Sequence, residues 1–143
     1  MTSTKGLDRF IEAQSSTIEA ALAELHAGQK RTHWMWFIFP QIHSLGRSPM
    51  AQFFAISSLE EARAYLAHPI LGRRLRQCTA AALPWATQRS AAAIFGAVDA
   101  LKFHSCMTLF DYVARHDVFE RALRAFYGSA ADEATLALLF RQR

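Results

Sequence analysis

Apolar residues recur along this chain at helical spacing, and polar caps punctuate them. Ile18, Ala21, Leu22 and Leu25 fall at i, i+3, i+4 and i+7, which places them on one face of a helix. Ser16-Thr17-Ile18-Glu19 reads as a capping box at its start, and Gly28 stands where a C′ glycine belongs. Upstream, Asp8 is placed to cap a short helix through Phe10, Ile11 and Gln14. Ser57 or Ser58, with Glu60 or Glu61 three residues on, opens a helix that buries Leu59, Ala62 and Leu66. His68-Pro69 breaks it, and Pro69 suits the first position of the next helix, whose stripe is Leu71, Leu75, Cys78 and Ala82. Pro84 closes that helix. Ser90 caps a short one, Ala91 to Phe95, ended by Gly96. Asp99 caps a longer one through Phe103, Met107, Phe110 and Val113. Asp117 to Glu120 is another capping box, leading Phe119, Ala122, Leu123 and Phe126 to a stop at Gly128. Asp132 starts the last helix, with Leu136, Leu139 and Phe140. The pattern predicts an all-α fold: one compact domain over residues 1–143, ordered from about residue 7 to 140, with about seven short helices of unequal length. It is not a simple four-helix bundle.

The stretch Trp34 to Phe39 breaks the pattern. It is continuously apolar, so periodicity does not separate a buried strand from a buried helix. Pro40 ends it. Residues 41–50 read as a loop, and Met50 to Ile56 as a second short apolar piece.

Composition narrows the class. Of 143 residues, 52% are hydrophobic and 20% charged, which favours a folded globule over disorder. The formal charge of +4 favours anionic partners without specifying one. The two cysteines, Cys78 and Cys106, form no CxxC pair, so a structural zinc site is not expected. No signal-peptide core opens the chain and no apolar run reaches the roughly 20 residues that span a bilayer. The expected location is the cytoplasm, with no membrane association.

Three blocks together carry a resemblance. They are Lys30-Arg31-Thr32-His33-Trp34-Met35-Trp36 with Phe39-Pro40-Gln41, then His68-Pro69-Ile70-Leu71-Gly72-Arg73-Arg74-Leu75, then Ile94-Phe95-Gly96 with Asp99, Lys102, Ser105, Met107 and Thr108. In order and spacing they resemble the bacterial and fungal family catalogued as domain of unknown function 1810, from about Leu7 to Leu139. The resemblance implies a compact all-α domain and no established activity. Some members carry the label calpastatin, but inhibitors of that type are polar and disordered, unlike this apolar chain. Relatives typically read Ser-Ser-Met-Thr where this chain has Ser105-Cys106-Met107-Thr108, so chemistry is not placed on Cys106.

The distinctive polar residues flank the aromatic run. Trp34, Phe37 and Phe39 are expected in the core. One indole, Trp36, is expected to wall a pocket with Lys30, His33 and Gln41 at its rim. Ser44, Arg47 and Ser48, around Gly46, make a loop able to hold a phosphate or carboxylate, although the Walker A spacing is absent. Lys102 lies one helical turn from both Asp99 and Ser105. The expected function is binding of a small anionic, phosphate- or nucleotide-like ligand in a partly apolar cationic pocket formed by these blocks. Lys30, Arg47 and Lys102 would supply charge. No cofactor or metal is expected, since His33, His68 and His104 lack ligand spacing. A Ser105–His33–Asp99 triad can be composed on paper only, and no residue pair reads as a general acid and base, so catalysis is left open. Two rivals stand beside this reading. One is a protein-interaction module whose polar blocks merely fasten loops. The other is a weak nucleic-acid binder, which needs a contiguous face built from Arg73, Arg74 and Arg76.

Overall fold

The computed structural model describes residues 6–43 and 45–141, and over them the chain is all-α. The helices are α1 (Asp8–Ser15), α2 (Ile18–His26), α3 (Met35–Ile38), α4 (Pro49–Phe53), α5 (Leu59–Ala67), α6 (Leu71–Ala82), α7 (Ala91–Phe95), α8 (Ala97–Val113), α9 (Val118–Tyr127) and α10 (Glu133–Arg141). A 3-10 segment, Leu83–Thr87, follows α6. Seven of the α-helices exceed six residues, in line with the periodic segments of the sequence. The other three, α3, α4 and α7, are single turns too short for a period to declare itself. Among the described residues no helix is long and apolar enough to cross a membrane.

α8 is the central element, packing against α5, α7, α9 and α10, while α6 packs against α2, α5 and α9. Phe103, Cys106, Met107, Leu109 and Phe110 of α8 are all fully buried. Aromatic rings join the layers. Phe54, Phe10, Tyr65, Phe110 and Phe119 contact one another in sequence. The aromatic run resolves as one buried helical turn, and Phe39 at its end meets Phe95 and Phe103 edge-on.

Several caps form as the sequence predicts. The hydroxyls of Ser58 and Ser90 accept from Glu61 N and Ala93 N, and Asp117 accepts from Val118 N. Two do not. The Thr17 hydroxyl donates back to Ala13 O, so the expected box at Ser16–Glu19 does not close. Asp99 is not a cap, because α8 begins two residues earlier, after Gly96. Asp8 likewise lies inside the first turn of α1. Pro84 closes α6 as expected, and the chain tightens there into the 3-10 segment. The His68 ring accepts from Ile70 N and Leu71 N, satisfying the start of α6 after Pro69.

The α2 terminus positions the site. Gln29 N donates to Glu24 O and Gly28 N to Leu25 O, the paired bonds of a Schellman motif. Gly28 has φ +74, and a Cβ there would meet the Trp85 ring at 2.6 Å. Trp85 donates to His26 O, and Arg89 donates to Gly28 O at 2.6 Å while covering the indole. The turn is clamped from outside.

Candidate functional site

Once α2 ends at this turn, the donors of Arg31 to Trp34 fold back over its last turns. Glu24 accepts four of them. Its Oε1 takes Arg31 N (2.7 Å), Thr32 N (3.0 Å) and Trp34 Nε1 (2.9 Å), and its Oε2 takes the Thr32 hydroxyl (2.6 Å). Partial burial pushes the carboxyl up, but these bonds, led by the Thr32 hydroxyl, outweigh it and hold the group at about 2. Trp34 is thereby fixed in the core, and Trp36, one helical step on, stays half-buried.

Lys30 leaves the turn in the other direction. Its N–H donates to Ile94 O at 2.7 Å, tying the segment to α7. Its ammonium reaches Asp99 Oδ2 at 2.9 Å and lies 5.3 Å from the Trp34 ring. Lys102, one turn along α8, reaches Asp99 Oδ1 at 3.2 Å and lies 4.5 Å from the centre of the Trp36 ring. The Lys30 and Lys102 side chains are only 9% and 14% exposed. Two ammonium groups therefore share one carboxylate beside two indole faces. The neighbouring acid, Glu24, is already committed to the turn. The cluster carries an excess positive charge in a place where water screens it poorly.

Lys30, Trp36 and Lys102 of the expected set meet here. His33 is exposed and makes no hydrogen bond, ion pair or ring contact with another described residue. Gln41 and the residues after it build a separate local structure. Gln41 O accepts from Ile56 N, His43 N donates to Ile56 O, and Ile42 forms an isolated bridge with Ile56. Ser48 caps α4 through Ala51 N, and Arg47, exposed, offers its carbonyl to Gln52 Nε2. Ser44 lies outside the described residues. Ser105 points away from Lys102: its hydroxyl bonds Leu101 O and Asp132 Oδ2, and Asp132 also accepts from Thr135 N and the Thr135 hydroxyl. Thr108 accepts from Asp132 N. Ser105 and Thr108 thus fasten α10 to α8, and the triad of Ser105, His33 and Asp99 is not assembled. Among the described residues no hydrogen bond, ion pair or ring contact joins Lys102 or Ser105 to Gln41, Arg47 or Ser48.

Sequence reasoning missed Glu24 and Arg9. The signal for Glu24 was the density of N–H donors in Lys30–Trp34, which demanded an acceptor. Arg9, 6% exposed, donates to the carbonyls of Gly6, Phe53 and Ala55 and pairs with Glu61. It holds the end of α4 against α1 and α5, and nothing local in the sequence marks it. The arginine run is also dispersed. Arg74 donates to the buried Gln14, Arg76 pairs with Asp117, and Arg73 is exposed.

A family model described as "Protein of unknown function (DUF1810)" matches residues 4–139. The crystal structure of the conserved hypothetical protein Rv1873 from Mycobacterium tuberculosis is 47% identical, with a TM-score of 0.91 over 94% of this chain and 96% of that one. No curated protein matches the chain.

Proposed function

The chain belongs to the DUF1810 family of proteins of unknown function, and from that premise we propose that it binds a small organic anion at the cluster of Lys30, Asp99 and Lys102. One observation carries the reading: two largely buried ammonium groups share a single carboxylate beside the half-buried Trp36. Asp99 stands where an oxyanion of a ligand would stand. A phosphate or carboxylate bridging the two lysines completes the charge balance, and the Trp36 face gives a nucleobase or other flat body a wall. His33, Gln41, Ser44, Arg47, Ser48 and Ser105 belong to the wider expected set. Of these, exposed His33 and Arg47 suit an outer rim better than a buried contact. Arg74 and Arg76 are committed to Gln14 and Asp117 while Arg73 stands exposed, which favours a small ligand over a contiguous nucleic-acid surface. The two buried cysteines, both unbridged, fit a cytoplasmic setting.

The test is a thermal-shift series with nucleotides, ADP-ribose, sugar phosphates and simple carboxylates on wild type, Lys102→Ala and Asp99→Asn. A ligand at about 100 times its Kd adds roughly 2.7 kcal/mol, a shift of several degrees for a domain of this size. Lys102→Ala removes the shift. Asp99→Asn lowers the melting temperature without ligand, yet binds the anion about tenfold more tightly, because the competing carboxylate is gone. If no anion shifts the wild type, or Lys102→Ala responds as wild type does, the site is not an anion site, and an interaction module becomes the better reading.

A further inference from the structure

The outer face of α6, far along the chain from the lysine cluster, carries a second constellation. A shallow, largely open hollow of about 550 Å³ lies where α5 turns into α6. Four of its lining side chains, His68, Arg73, Arg76 and Gln77, offer donors, and its lining contains no acidic residue. Arg73 is exposed and has no hydrogen-bond, ion-pair or ring partner among the described residues. Arg76 is held by Asp117 through Nε and Nη2 (3.1 and 3.0 Å), which leaves Nη1 available. His68 accepts two backbone N–H groups at Nδ1, which places the ring proton on Nε2. Leu66, Pro69 and Ala80 supply apolar wall. An adjoining hollow of about 290 Å³ shares Gln77 and Ala80 and continues to Leu22 and Ala81, with His26 at its side. Arg73, Gln77 and Ala80 follow one helical stripe and the two hollows share Gln77 and Ala80, so together they form a groove running roughly 10 Å along α6 at 1.5 Å per residue.

We infer that this groove is a second ligand site, for an amphipathic carboxylate whose head group sits at Arg73 and whose alkyl chain lies along Ala80 towards Leu22. One unpartnered guanidinium, a single N–H donor group of Arg76 and one imidazole N–H match a monoanion better than a doubly charged phosphate. Arg73, Arg76 and His68 gather at one end, while Leu22, Ala80 and Ala81 line the other, with His26 beside them.

The probe is octanoate, titrated into the full chain and followed by backbone amide NMR shifts, with acetate and octanol as head-only and tail-only controls. Octanoate saturates and moves the amides of α6, while acetate and octanol bind about tenfold more weakly or less. Ala80→Glu, an exposed helical position, sets a carboxylate beside the chain path and weakens octanoate by about tenfold or more, as does Arg73→Ala. In Lys102→Ala the octanoate-induced shifts of the α6 amides persist with the same midpoint, which separates this groove from the lysine cluster. Octanol binding as tightly as octanoate, octanoate binding that survives both substitutions, or shifts confined to residues away from α6 would each overturn the assignment.

Discussion

Glu24 has two oxygens and four donors to satisfy in the Lys30–Trp34 turn. Its ordinary value of 4.5 falls to about 2 in the folded chain. Above 4.5 the group is ionised in both states, and its full contribution is present. As pH falls below 4.5 the unfolded chain takes up a proton that the folded chain refuses, so this stability is lost progressively towards pH 2. Glu24→Gln is expected to cost about 1–2 kcal/mol at pH 7, discounted for the carboxylate's partial solvation. Urea midpoints of the two proteins, measured from pH 6 down to pH 2.5, check this. The gap narrows on acidification if the carboxylate is responsible and stays constant if Gln fails for another reason. Residues of this kind escape a reading of the sequence because their partners lie across a turn. Asp99 failed for a related reason. By local pattern it is a helix cap, but Lys30 arrives from a distant segment and turns it into the centre of an ion cluster.

At the level of elements, helices with both a stripe and a local cap were readable from the chain alone. Ser58, Ser90 and Asp117 bond donors within three residues, so neighbouring residues decide the outcome. Of the single-turn elements, α7 was readable from its Ser90 cap and Gly96 stop, and α3 and α4 were not. α3 has one turn and no polar face to give it a period. α4 owes its place to Ser48 at one end and to Arg9, which takes Phe53 O at the other. The attachment of α10 was half visible: Asp132 stood out as a helix start, but its second role, accepting from Ser105, depends on α8 lying alongside. Asp132→Ala is therefore expected to loosen α10 by about 1–3 kcal/mol. Amide exchange across α10 accelerates while α6 keeps its protection. Uniform acceleration through both helices would show that the contact supports the whole fold and not this docking.

For the whole molecule, the all-α class followed from composition and periodicity, while the meeting of the α2 end, α7 and the start of α8 had no signature in the sequence. Hydrophobic burial specifies that faces must pack, and tertiary geometry alone specifies which termini converge. The core offers a global readout. Cys78 and Cys106 are fully buried; burial pushes the first thiol up to about 12 and the second well above its ordinary value. Both thiols are expected to resist a disulfide reagent at pH 8 in the native state and to react at a rate set by opening of the core. Prompt labelling of either one at native conditions would contradict the packing around α6 and α8. The lysine cluster has a consequence on an evolutionary timescale. Losing Asp99 leaves two ammonium groups facing each other, and losing either lysine shifts the carboxylate onto the one that remains. Losing the acid is therefore the costliest single step, because one lysine with Asp99 remains a neutral pair. Across relatives the acid is expected to persist wherever both lysines do, and a lineage that keeps both lysines but not the acid would have to carry another anion in its place.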